Sequence, residues 1–107
     1  MADALSFDVK PDGPNAVVIA VVGEVDMASA PKLAACLLDH PDTDMTVDLS
    51  RVDFLDSSGI NVLVQAYKRA RDSGHHLRTT GEQDQVLAVI DASGLTGYFH
   101  DNTPPHD

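Results

Sequence analysis

Between Met45 and Tyr67 the apolar residues change their spacing, and this change constrains the fold more than any other feature of the chain. In Met45-Thr46-Val47-Asp48-Leu49 they alternate with polar residues, the period of a strand with one face on a core. Ile60, Leu63, Val64 and Tyr67 then recur at helical spacing, so the period passes from two to near 3.6 across Asp53-Phe54-Leu55-Asp56. A strand handing over to an amphipathic helix implies a crossover connection, with the helix laid on a sheet face. The serines of Asp56-Ser57-Ser58-Gly59 fall at the helix start. Up to about four backbone N–H groups are unpaired there and the helix dipole is positive, so a capping hydroxyl or a phosphate ester is accommodated.

Capping by Ser57 or Ser58 is the simplest reading of that tetrapeptide, and two details weaken it. Gly59 sits in the first turn, where glycine costs up to about 1 kcal/mol against alanine, which a capping role does not require. Its missing side chain is expected to let another surface approach the serines. The positions three residues beyond the serines hold Ile60 and Asn61, so the reciprocal capping box is absent.

The remaining pattern completes one α/β domain. Leu5 to Val9 reads as a strand, Asp12-Gly13-Pro14-Asn15 as a turn, and Ala16 to Gly23 as a central strand apolar on both faces. Ser29 is expected to cap a helix whose stripe is Ala30, Leu33, Ala34, Leu37 and Leu38, with Pro31 in its first turn and Pro41 beyond its end. Cys36 lies off that stripe as a partly exposed, inert thiol, since no basic neighbour is evident. The second helix is read from Ser58 to near Ser73-Gly74, with Lys68, Arg69 and Arg71 complementing its negative end. His75 to Thr80 is a weak strand and Asp84 to Ala92 a third helix, stopped at Gly94-Leu95. Thr96 to His100 is expected as an edge strand and residues 102–107 as a flexible tail, leaving 5–101 as the ordered core of a single domain spanning 1–107. The result is a mixed sheet of four to five strands with helices mainly on one face.

Composition narrows the function classes. The 107 residues carry 17 acidic against 7 basic side chains, a formal charge of −10, which repels nucleic acid phosphates. The longest apolar run, Ala16 to Val22, is far short of the roughly 18 to 20 residues a membrane span needs, and no basic-then-apolar leader opens the chain. The expectation is a cytoplasmic protein without a membrane partner. One cysteine makes no internal disulfide. A hydrolase reading of Ser57 with His75 or His76 as base lacks the Gly-x-Ser-x-Gly elbow, because Leu55 stands where the first glycine belongs. Adjacent histidines on a strand point to opposite faces, with no further His or Cys at ligand spacing, so no metal site is expected.

Val47-Asp48-Leu49-Ser50 followed by Phe54-Leu55-Asp56-Ser57-Ser58-Gly59 resembles the signature of STAS domains of the anti-sigma factor antagonist type. Two further blocks agree in order: Gly23-Glu24-Val25-Asp26 with Ser29, and Val86, Ile90 with Asp91-Ala92-Ser93-Gly94-Leu95. The likeness runs from about Leu5 to Phe99, and three ordered blocks are far more specific than one. Asp84 replaces a proline common before the third helix and can itself cap, and the chain stops where many relatives carry a final helix, which leaves one face or edge of the sheet less covered.

The resemblance implies partner switching. Unphosphorylated, such a protein occupies an anti-sigma factor with serine kinase activity and so frees a sigma factor; phosphorylation reverses this, and a phosphatase resets the switch. By position Ser57 is the implied phosphoacceptor. Ser58 and Gly59 shape its loop, Glu24 and Asp26 lie on the neighbouring loop, and these with Asp56 and Ser57 make up the implied partner-binding surface. No catalysis and no cofactor are implied, since the kinase brings ATP and metal. The alternatives within the same fold are a non-phosphorylated accessory subunit on the ATPase of a lipid-trafficking transporter, and a scaffold subunit of a large stress-sensing assembly, which usually carries an extra N-terminal domain.

Overall fold

The structure is a computed structural model that describes residues 5–40 and 42–99. Four strands form one sheet in the order β1 (Ser6–Pro11), β2 (Ala16–Val25), β3 (Asp44–Leu55) and β4 (Leu77–Thr80). β1 runs antiparallel to β2, whereas β2–β3 and β3–β4 are parallel. Parallel neighbours need crossovers, and α1 (Ala30–Leu38) and α2 (Ser57–Asp72) supply them. α3 (Asp84–Ala92) and a single turn, α4 (Thr96–Phe99), follow β4. The mixed sheet is as expected, with four strands among the described residues where four to five were read from the sequence.

Alternation along the strands sends one set of side chains to the helices. Ile19, Val21 and Val25 of β2, Met45, Val47, Leu49, Val52 and Leu55 of β3 and Leu77 of β4 are buried with Leu33 and Leu37 of α1, Leu63 and Ala66 of α2, and Val86 and Ile90 of α3. On the other face Val18, Ala20 and Val22 are half-buried, while Asp8, Lys10, Arg78 and Thr80 are exposed. Burying the helix-facing set is the main source of stability, at about 1.5–3 kcal/mol for each large aliphatic side chain.

The alternation is not uniform. Ala20 pairs with Asp48 but Val22 with Arg51, and Gly23 pairs with Val52 but Glu24 with Phe54, so β3 carries two residues more than β2 over this stretch. Each surplus residue is a bulge, and the buried positions of β3 accordingly pass from Val47 and Leu49 to Val52 and Leu55. Gly23 lies at the second irregularity with φ 125°, a conformation side chains with a Cβ rarely adopt. The strand therefore extends to Leu55, beyond the alternating stretch that ends at Leu49.

Four other expectations need correction. Thr96–Phe99 is helical rather than an edge strand: Gly94, at φ 74°, ends α3, Leu95 N–H donates to Ile90 O at 3.2 Å, and the new turn inserts Phe99 into the core, 1% exposed and edge-on to Tyr67. Asp84 is the first residue of α3 and not its cap, which is Gln83. Gln83 instead joins α3 to the bulged part of β3, its Nε2 donating to Ser50 O, Val52 O and Asp53 Oδ1 at 3.2, 3.0 and 3.1 Å. His75 and His76 precede β4 rather than lying on it; His75 Nδ1 is 3.2 Å from Asp44 Oδ1, which also accepts the His76 N–H. Leu38 of the expected α1 stripe is exposed, because the buried side of that helix is Ala30, Leu33 and Leu37. Pro41, His100 and the expected tail at 102–107 lie outside the described residues.

Candidate functional site

β2 and β3 end together. Val25 and Leu55 form the last pair of their ladder, both are buried, and the next N–H of β3, that of Asp56, donates to Val25 O at 3.2 Å. The chain beyond each strand therefore leaves from adjacent points on one rim of the sheet. Residues 26–29 depart on the β2 side and 56–59 on the β3 side, which brings the two candidate segments read from the sequence into one place.

On the β3 side the helix cap is Asp56. Its backbone is extended, and Oδ1 accepts the N–H groups of Ser58 at 2.8 Å and Gly59 at 3.3 Å, while its carbonyl accepts from Ile60 at 3.0 Å. A carboxylate at that point satisfies two orphan donors and favours the positive end of the helix dipole. The expected serine cap gives way to this aspartate, and α2 begins at Ser57 rather than Ser58. Ser57 is exposed, Ser58 is half-buried and Gly59 is buried. Relieved of capping, the Ser57 hydroxyl stands in solvent at a helix entrance.

Gly59 is explained from within the molecule. A Cβ there would lie 2.7 Å from Val25 Cγ1 and closer still to Leu55 Cδ1. The bare Cα thus lets the first turn of α2 sit directly on the last pair of the ladder. This replaces the expectation of an outside surface approaching at Gly59, and the glycine contributes by setting the height of Ser57 over the sheet.

On the β2 side Asp26 and Ser29 close a turn reciprocally. Asp26 Oδ1 accepts the Ser29 N–H at 2.9 Å and Ser29 Oγ accepts the Asp26 N–H at 3.0 Å. The Ser29 hydroxyl donates to Glu24 O at 2.8 Å, with Asp26 Oδ1 a second acceptor at 3.1 Å. The geometry is that of a capping box across residues 26–29; Ser29 holds the cap position of α1, as expected, but its side chain points back along the chain and makes no capping hydrogen bond to that helix. Hydrogen bonds from the Ser29 backbone and hydroxyl hold the Asp26 carboxyl below its ordinary value. Glu24 is exposed beside Phe54, its partner in the ladder.

Two residues at this rim escaped the sequence reading. Met27 is 77% exposed and Phe54 46% exposed, both large and apolar. Their signal was a period mismatch: Phe54 falls where the bulges upset alternation, and Met27 follows a strand without joining a helix stripe. Cys36, by contrast, is half-buried as expected, and burial together with the nearby Asp39 carboxylate pushes its thiol pKa up, away from the reactive thiolate.

The sequence profile of the family described as "Mlab, STAS domain" matches residues 11–100. The chain belongs to the STAS domain family. Among curated relatives of this STAS domain is the anti-sigma-B factor antagonist of Bacillus subtilis, 29% identical over 93 residues that cover 85% of this chain and 84% of the relative. A crystal structure of an anti-sigma factor antagonist from Mycobacterium paratuberculosis superposes with a TM-score of 0.72 at 26% identity, over 90% of this chain and 83% of that one. The Bacillus SpoIIAA protein has the same fold in its unphosphorylated form, with a TM-score of 0.72 at 21% identity over 87% of this chain and 84% of that one. Its phosphorylated form gives 0.70 at 18% identity over 87% of each chain. No helix among the described residues of the domain is long and apolar enough to cross a membrane.

Proposed function

We propose that this STAS domain is an anti-sigma factor antagonist acting in the cytoplasm. With Ser57 unmodified it binds an anti-sigma factor kinase and displaces the sigma factor; with Ser57 phosphorylated it lets go, and a phosphatase restores it. The observation that carries this reading is the exposed Ser57 hydroxyl at a helix entrance that Asp56, not the serine, already caps. The sigma-regulatory names of the relatives support it over a transporter subunit.

The chemistry asks little of the domain. Ser57 Oγ attacks the γ-phosphorus of the kinase's ATP, the bond to the bridging oxygen breaks, ADP leaves, and the hydroxyl proton passes to a base of the kinase. The product carries about 1.5 to 2 negative charges at neutral pH beside Asp56 and across the rim from Asp26. The first-turn N–H groups tolerate that charge, so the fold persists. A partner that has to desolvate the rim does not, and a loss of about 2 to 3 kcal/mol lowers affinity by roughly thirty- to a hundred-and-fiftyfold.

Affinity capture from native cytosol with Ser57→Ala and Ser57→Glu baits, paired with in vitro phosphorylation by each purified anti-sigma factor kinase of the source genome, tests the reading. The alanine bait is expected to retain such a kinase and the glutamate bait to lose it, with phosphate on Ser57 of the wild-type chain. A transporter ATPase recovered equally by both baits would overturn it.

A further inference from the structure

Met27 and Phe54 flank the Ser57 rim as exposed apolar side chains within a strongly acidic surface. Met27 stands two residues beyond Val25 and Ser57 two residues beyond Leu55, and Val25 pairs with Leu55, so the thioether and the hydroxyl leave neighbouring strand ends at the same step. Phe54 lies opposite Glu24 on the last open rung. Neither apolar residue belongs to the core, and each sits next to carboxylates: Asp26 beside Met27, Asp53 beside Phe54, with Glu24 between the two strands' ends and Asp56 next to Ser57.

We propose that Met27 and Phe54 are the apolar anchors by which the domain grips its kinase partner, whose face must offer a hydrophobic recess edged by arginine or lysine. This rests on the function proposed above and assigns a task to residues that take no part in the phosphoryl transfer. Exposed large apolar groups at the centre of a charged rim are the pattern of an interface hot spot, in which desolvated anchors hold and the rim charges steer. Charge selects the occupant. A second copy of this chain, itself at −10, would set Glu24, Asp26, Asp53 and Asp56 against their own counterparts, and a nucleic acid would meet the same repulsion. A cationic protein face meets neither obstacle. Grip and switch are then separate: the anchors provide affinity that does not depend on the state of Ser57, and the phosphate opposes it.

The test uses the purified anti-sigma factor kinase that binds the wild-type chain, with affinities measured for Met27→Ser, Phe54→Ser, Met27→Leu and, as a remote exposed apolar control, Leu38→Ser. Each serine variant at the anchors is expected to bind about tenfold more weakly or worse, Met27→Leu to recover most of the affinity, and Leu38→Ser to stay within about twofold of wild type. Circular dichroism and the melting temperature check that the variants fold, and Met27→Leu keeps the test decisive if a serine variant does not. If the kinase binds and Ser57→Glu releases it, yet both anchor variants bind as wild type does, this inference fails while the proposed function stands. If no such kinase binds the wild-type chain, both fail. Self-association that the anchor substitutions abolish would overturn the assignment in favour of a second copy.

Discussion

The carboxylate of Asp56 accepts the Ser58 N–H at 2.8 Å, and the residue it spans, Ser57, is left facing solvent. One side chain thus stabilises the start of α2 and keeps the neighbouring hydroxyl available.

Asp56→Ala removes this cap and leaves the N–H groups of Ser58 and Gly59 without their acceptor. We expect a loss of about 1 kcal/mol, read as a fall in melting temperature of about 4–8 °C for a domain of this size. Asp56→Asn is expected to keep most of that stability because an amide oxygen still accepts the bonds. Equal losses in both variants would show that the charge, not the hydrogen bonds, carries the effect.

Gly59→Ala should destabilise the domain although alanine is the better helix former. The added methyl meets Val25 and Leu55 in the core, where overpacking costs about 1–3 kcal/mol, against a propensity gain of up to about 1 kcal/mol. Denaturant unfolding measures the difference. Combining Gly59→Ala with Leu55→Ala removes the nearer obstacle, so the double variant should lose less than the sum of the single losses by about 0.5 kcal/mol or more. Strict additivity would rule out the collision.

Asp26 titrates below its ordinary value of 3.8 because Ser29 donates to its ionised form. A carboxyl held down in the folded state stabilises the fold at any pH above the unfolded value, and this contribution disappears as pH falls through the lower folded value. Ser29→Ala leaves the backbone N–H bond but deletes the hydroxyl, so NMR titration should find the Asp26 pKa moved up toward 3.8. The variant should be less stable than wild type at neutral pH, with the gap narrowing in acid. A gap that widened on acidification would contradict this assignment.

Much of the architecture was legible because spacing encodes it. The one-to-one pairs of β2 with β3 from Ala16 to Ala20 keep strict alternation in Met45 to Leu49, and Ile60 and Leu63 mark the buried side of α2. Four letters and a change of period put both serines at a helix start, the family resemblance alone singled out Ser57, and its exposure came with the structure. The misread cap of α2 has a local cause, which is that several neighbouring side chains compete for the same donors. Asp56 outcompetes the serines for the first N–H groups of α2, while Ser29 keeps the cap position of α1 but turns its hydroxyl back to Glu24 O; from sequence, Asp, Ser and Gly all serve as caps. Phe99 was misread because four residues after Gly94 are too few to establish a period, and only the core decides that this phenylalanine turns inward. Met27 and Phe54 went unnoticed since an isolated apolar residue is unremarkable until its neighbours in space are known.

The surplus of two residues in β3 relative to β2 separates the rim from the foundation beneath it. Deleting one of them would return the inward positions to their ordinary two-residue spacing, so no core side chain would have to turn outward. Ser57 would meanwhile slide along the strand axis by up to about 3.3 Å. Adding or losing a single residue between Leu49 and Phe54 would therefore raise or lower Ser57 against whatever docks at the rim, with the remainder of the domain left unrevised.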